Sequence, residues 1–196
     1  RDITRWEHPD IRAINPSLTA VGEILVYHRV RGSSSTAGFT QYLEGKCPAS
    51  WTLGSGSTID WPSDTYGAQG SGGMSDAIAA NAYAIGYIDA GHGHERGFGE
   101  IALQNAAGRY LTTLQSTISD AAAPALAAGV IPADPTADFS SVNLYDQTGE
   151  NTWPITLISY FYIEQDLSSV NARSASVLMA FVRFILSDEG QALAED

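Results

Sequence analysis

The chain has 196 residues, 44% of them hydrophobic, and a formal net charge of −12. That size and apolar content fit one folded domain, or one lobe of something larger, and exclude disorder as the default. The acid excess argues against nucleic acid or an anionic membrane surface as a partner. No apolar run reaches the length of a membrane span, and the lone Cys47 excludes an internal disulfide. The sequence opens on Arg1 and not on Met, so the expectation is a processed, excised or incomplete chain.

Residues 1–6 read as extended or turn-like. Pro9 and Pro16 then leave room for only a short helical turn. Residues 23–28 are apolar and β-branched without strict alternation, the pattern of a buried strand. Residues 36–43 predict a helix with Phe39, Tyr42 and Leu43 on one face and Gly45 as its stop. Residues 46–73 are loop-rich, and Trp51 and Trp61 are expected to pin this long loop by burying their rings. A short helix over 75–82, capped by Ser71 or Ser75, and a strand over 83–88 follow.

His92 and His94 alternate within a Gly-rich stretch ending at Glu95. On an extended segment both would face one side, but no third ligand is identifiable, so no metal site is assigned. Residues 101–105 read as a strand. Ser116 is expected to cap a helix running to Ala128, bent or divided at Pro124 and closed by Gly129. Residues 132–140 are a loop, and 146–151 a turn before the strongest strand candidate, residues 154–163. Ser168 is expected to open the last long helix. Its stripe of Val170, Val177, Leu178, Phe181, Val182, Phe184 and Ile185 predicts a core-facing element. Residues 187–190 read as a break and recap. The alternation of strands and helices gives an α/β domain with helices packed on a sheet.

One stretch carries chemistry. A buried strand runs into His28-Arg29-Val30-Arg31-Gly32-Ser33-Ser34-Ser35-Thr36, which runs into a helix. Free backbone N–H groups and the positive end of the helix dipole make such a junction an anion site, and Arg29 adds a planar two-pronged donor. The same residues also compose an ordinary Ser-rich turn with an N-cap, and chemistry alone leaves both readings open. His28 reads as a structural histidine. With no nucleophile elbow, P-loop or acid–base pair in context, no enzyme and no cofactor are expected.

The wording of the chain resembles the periplasmic phosphate-binding proteins that serve ABC-type phosphate importers. The resemblance rests on seven segments in order: Ile3 to Trp6 with Pro9, Ile11, Asn15 and Pro16; His28 to Thr36 with Phe39, Thr40, Tyr42 and Leu43; Trp51, Trp61, Pro62 and the glycines from Gly54 to Gly73; Ala84 to Tyr87; Ala102 to Asn105 with Gly108; Trp153 to Ile155; and Phe184 to Gln191. It implies a type II periplasmic-binding-protein-like lobe, a mixed sheet flanked by helices. Residues 1–165 would be the second lobe and 166–196 a C-terminal helical return segment. It further implies that Arg29, Ser33, Ser34 and Ser35 bind phosphate or a similar oxyanion, and that the location is extracytoplasmic. The opposing first lobe is absent from these residues, so it or another subunit is the implied partner. Three positions depart from the pattern: Arg31 replaces an acid, Ser34 a glycine and Ser71 an asparagine. The alternative is a structural or protein-interaction module that keeps the fold without high-affinity ligand binding.

Overall fold

Strand β1 (Leu25–Arg29) is the middle of a three-stranded parallel sheet, between β2 (Tyr66–Ala68) and β3 (Ala84–Ile85). In this computed structural model, which describes residues 2–117 and 119–193, Tyr27 faces Tyr66, Arg29 faces Ala68 and Leu25 faces Ala84. Parallel neighbours need crossovers, and helices supply them: α2 (Ser34–Lys46) between β1 and β2, and α3 (Gly70–Ala80) between β2 and β3. A short α1 (Pro9–Ile14) precedes the sheet, as the two prolines require. The α/β class is therefore as expected.

The core beneath the sheet is small and partly polar. Met74 of α3 is fully buried, with Ile24, Tyr42 and Ala68 nearly so. Gly86 lies so close to Met74 that a Cβ there would meet its Sδ at 2.8 Å, which explains a glycine directly after β3. Thr36 and Thr40 of α2 are buried too. The Thr40 hydroxyl donates to the Thr36 carbonyl at 2.8 Å and accepts from the Gly56 N–H at 3.1 Å, tying the long loop to the helix. The two Trp expected to pin that loop by burial are both half-buried; Trp61 packs on the body and Trp51 on Trp61. They meet edge to face at 5.8 Å, and Trp61 stacks on His28 at 4.8 Å. Tyr42 is held above its ordinary pKa by burial, reinforced by the nearby Asp146 carboxylate.

Helix α4 (Ala90–Glu95) follows β3. It overturns the extended reading of the histidines. Two residues apart on a helix, His92 and His94 point about 200° from one another and cannot share a ligand. His94 instead contacts the Thr113 hydroxyl at 2.9 Å. Among the described residues no group of three His, Cys, Asp or Glu is placed to hold a metal ion.

Strands β4 (Leu103–Gln104) and β5 (Tyr110–Leu111) form an antiparallel pair. Helix α5 (Ser119–Ala127) starts later than predicted, because Ser116 closes a 3-10 turn by donating to the Thr113 carbonyl at 3.0 Å. Pro124 lies inside α5, and Gly129, at φ 71°, turns the chain after it. Helix α3 also differs: it enters through Gly70 at φ 71°, and neither Ser71 nor Ser75 caps it. The Ser75 hydroxyl bonds back to the Ser71 carbonyl at 3.0 Å instead.

The described residues divide into two compact units, one ending at Leu157 and one beginning at Ile158. Two expectations fail near and beyond that boundary. Residues 154–163 are not a strand, since among the described residues no strand runs beside them. The hydrogen bonds of a strand come from a neighbour, which apolar patterning does not supply. Phe161 and Tyr162 are 74% and 89% exposed. In the second unit, the long helix α6 (Ala172–Ile185) starts after Ser168, whose N–H is taken by the Asp166 carboxylate at 2.8 Å. Asn171 caps it, accepting from the Ser174 N–H at 2.9 Å, so Val170 lies outside. No residue of α6 is buried, and its predicted core face is open, with Val177 64% and Phe181 51% exposed. Among the described residues this unit holds α6, an irregular lead-in and the short α7 (Asp188–Ala192), too little by itself to cover a broad apolar stripe. The predicted break and recap is present, with the Ser187 hydroxyl accepting from the Gly190 N–H at 3.2 Å.

Candidate functional site

All three parallel strands end on the same edge of the sheet, and each runs there into a loop and a helix N-terminus. In open α/β sheets this carboxyl edge is where ligands are held. From β1 come Arg29 and the serines of α2. From β2 comes Ser71, in the first turn of α3. From β3 come Tyr87 and Asp89, just before α4.

Ser33 is the N-cap of α2. It is buried, accepts from the Thr36 N–H at 3.4 Å, and gives its own N–H to the Ser57 carbonyl at 3.0 Å. Its hydroxyl proton remains directed by neither bond. Ser34 is exposed and Ser35 half-buried at the first turn. Their N–H groups have no acceptor within the helix, and the helix dipole adds positive potential there. Arg29 lies at the end of β1. Its backbone N–H donates to the Tyr87 hydroxyl at 3.1 Å, and that hydroxyl also meets Thr36 Oγ1 at 2.7 Å. The guanidinium Nη1 donates to Ser71 Oγ at 3.4 Å. Arg31 is exposed.

The edge also carries an acid. Asp89 occupies the N-cap position of α4 but makes no side-chain bond to that helix. Its Oδ1 accepts from Ser35 Oγ at 3.3 Å and its Oδ2 from Ser71 Oγ at 3.2 Å. Beside Arg29 an open groove of about 330 Å³ is lined by His28, Val30, Thr58, Trp61 and Pro62. Trp61 Nε1 is buried there without a hydrogen-bond partner.

The structure thus brings Arg29, Ser33, Ser34 and Ser35 to one edge. Neither Tyr87 nor Asp89 is a site residue on the reading of the sequence, although Tyr87 lies within the strand expected over 83–88 and Asp89 directly follows it. The arrangement offers a guanidinium, unbonded helix N–H groups and hydroxyls to a small anion.

Residues 1–189 match the PBP superfamily domain. The chain belongs to that family. Among curated relatives, the phosphate-binding protein PstS of Haemophilus influenzae is 30% identical over 98% of this chain and 55% of its own length. The PstS of Pasteurella multocida is 28% identical over 83% of this chain and 46% of its own length. The PstS of Methanocaldococcus jannaschii is 26% identical over 96% of this chain and 51% of its own length. The chain therefore spans about half the length of the curated relatives it matches. A solved structure of a high affinity periplasmic phosphate-binding protein with phosphate bound superposes at a TM-score of 0.53. It is 22% identical and covers 79% of this chain and 46% of that one, a likeness of fold. The chain has the α/β class expected of the PBP superfamily, but its three-stranded sheet is parallel throughout and not mixed; the antiparallel pair β4–β5 is a separate sheet.

Proposed function

We propose that this chain is the phosphate-binding, or oxyanion-binding, part of a two-lobed substrate-binding protein, with residues 1–165 as its second lobe and 166–196 as the return segment. The observation that carries the reading is the meeting of Arg29 with the α2 N-terminus at the carboxyl edge of the sheet. Arg29 supplies a charged fork, Ser33 and Ser35 supply hydroxyls, and the N–H groups of Ser34 and Ser35 complete the cradle. The role is binding, not catalysis, and it is extracytoplasmic. The other half of the ligand's shell comes from an opposing lobe or another subunit. Net charge −12 is no obstacle, because the donors are local and fixed by the fold.

Calorimetric titration with inorganic phosphate, on this chain and on the chain joined to any upstream segment, tests the reading. Arg29→Ala removes a charged hydrogen-bond donor of about 1.5–3 kcal/mol, so affinity falls roughly 10- to 150-fold. Binding that is absent from both proteins, or indifferent to Arg29, refutes it.

A second reading is favoured by the open apolar face of α6, where Val177 and Phe181 are more than half exposed. On that reading the chain is an interaction module that keeps the fold and binds no anion tightly. It predicts no phosphate heat, with partner binding lost in Phe181→Ser.

A further inference from the structure

Resting on that reading of the edge as an anion site, the geometry points to Asp89 as its affinity-setting residue, a resident carboxylate that occupies the donors an incoming oxyanion must take.

A serine hydroxyl has one proton to give. The proton of Ser35 goes to Asp89 Oδ1 at 3.3 Å, and that of Ser71 to Asp89 Oδ2 at 3.2 Å. Ser71 in turn receives Arg29 Nη1 at 3.4 Å. One carboxylate therefore engages two hydroxyls directly and the guanidinium through one of them. These come from three successive strand-to-helix junctions, those after β1, β2 and β3. A residue at a helix N-cap ordinarily turns its side chain onto its own first-turn N–H groups. Asp89 makes no such bond to α4, and both of its oxygens face the other two junctions. Its carboxylate has the donor set of a bound anion without being one.

Binding of an oxyanion then requires exchange. Ser35 must rotate its hydroxyl from Asp89 onto the ligand, as must Ser71 if it is to donate there, while Arg29 turns its remaining N–H donors to ligand oxygens. Asp89 is exposed, so water replaces what it loses. The exchange is feasible and weakens binding relative to an edge with free donors. Asp89 acts by contact, which separates it from the diffuse repulsion of the other acids, a repulsion that salt screens.

The test is titration of inorganic phosphate into the full chain and its Asp89→Ala and Asp89→Asn variants, with folding checked by circular dichroism. The measurement is repeated at about 0.5 M sodium chloride, where the Debye length falls to roughly 4 Å. The expected result is about tenfold tighter binding for Asp89→Ala, retained in high salt. Asp89→Asn, which keeps the shape and adds a donor, tightens binding at least as much. In a Ser35→Ala background the gain from Asp89→Ala shrinks, since one of the contested donors is gone. Unchanged or weaker binding in Asp89→Ala overturns the proposal and leaves the phosphate reading standing. A gain that vanishes in high salt, or is the same without Ser35, overturns it too. No binding by the parent or either variant overturns both readings together.

Discussion

Replacing Asn105 by Asp changes one NH2 group into an oxygen and should unfold the second half of the first unit before anything else. Asn105 is 3% exposed. Its Nδ2 donates to the carbonyls of Gly149 at 3.2 Å, Glu150 at 3.0 Å and Thr152 at 3.3 Å. Its Oδ1 accepts from the N–H groups of Ala107 and Arg109, both at 3.0 Å. One side chain thus closes the β4–β5 turn and clamps it to a segment more than forty residues away. Asp keeps the acceptor half and loses the donor half. Two protons shared among three carbonyls disappear, each hydrogen bond contributing about 1 kcal/mol net, and a buried charge then faces carbonyl oxygens. The sum is about 3–5 kcal/mol, a large part of the stability of an ordinary domain. Urea unfolding of the parent, Asn105→Asp and Asn105→Ala measures it. Asp should be the worse substitution at neutral pH and should recover partly in acid, where a protonated carboxyl regains one donor. An Asp variant within 1 kcal/mol of the parent refutes the clamp.

Two other expectations concern the fold around the site. Glu7 is held at a pKa of about 2 by the Gly22 N–H at 2.9 Å, its own backbone and Arg5 at 2.6 Å. Its folded value lies below the ordinary 4.5, so its contribution is complete above that pH and lost as pH falls toward about 2. Glu7→Gln should therefore be less stable than the parent at neutral pH, with the gap closing in strong acid; an NMR titration midpoint for Glu7 near 4.5 would contradict this. Trp61→Ala removes a ring stacked between His28 at 4.8 Å and Tyr87 at 6.1 Å. It should cost about 2–4 kcal/mol and speed proteolytic cleavage within residues 46–65; unchanged cleavage would mean that the ring does not pin the loop.

What could be foreseen was local. The strand, serine turn and helix around Arg29 lie within about twenty residues, and their grammar is short-range: an apolar run, an N-cap serine, a helical face. The two Trp rings were predictable because a polar loop has few other apolar anchors. What escaped was set by sheet order. Asp89 and Tyr87 meet the residue 29–36 loop only because β3 lies beside β1, a pairing of residues nearly sixty positions apart. The histidines of α4 failed for a related reason, since a Gly-rich stretch carries no period and the helix arises from its place after β3. Residues 154–163 had a strong strand pattern and lacked the neighbour that makes a pattern into a strand. The serines read as caps at 71, 75, 116 and 168 show how many jobs one hydroxyl type has. Ser71 faces Arg29 and Asp89, Ser75 and Ser116 bond back to carbonyls, and the Ser168 N–H serves an Asp turn.

Apart from Ser33, which is buried and caps α2, the positions that hold the fold and those that would hold a ligand are separate, and this has a consequence. Met74, Thr40 and Asn105 are buried, the last two with their side chains hydrogen-bonded inward, whereas Arg29, Ser35 and Ser71 are half-buried and Asp89 is exposed. Exposed and half-buried groups at the ends of strands can be exchanged with little change in folding free energy. Arg31 and Ser34, the departures within residues 28–36, are both exposed and follow that rule. A chain of this kind can gain, lose or retune an anion through its edge while its sheet stays the same. The fold therefore does not determine affinity. On the proposed reading, affinity depends on whether the hydroxyls of Ser35 and Ser71, the latter also bonded by Arg29, prefer an oxyanion to the carboxylate of Asp89. That competition is local, and it can be measured one side chain at a time.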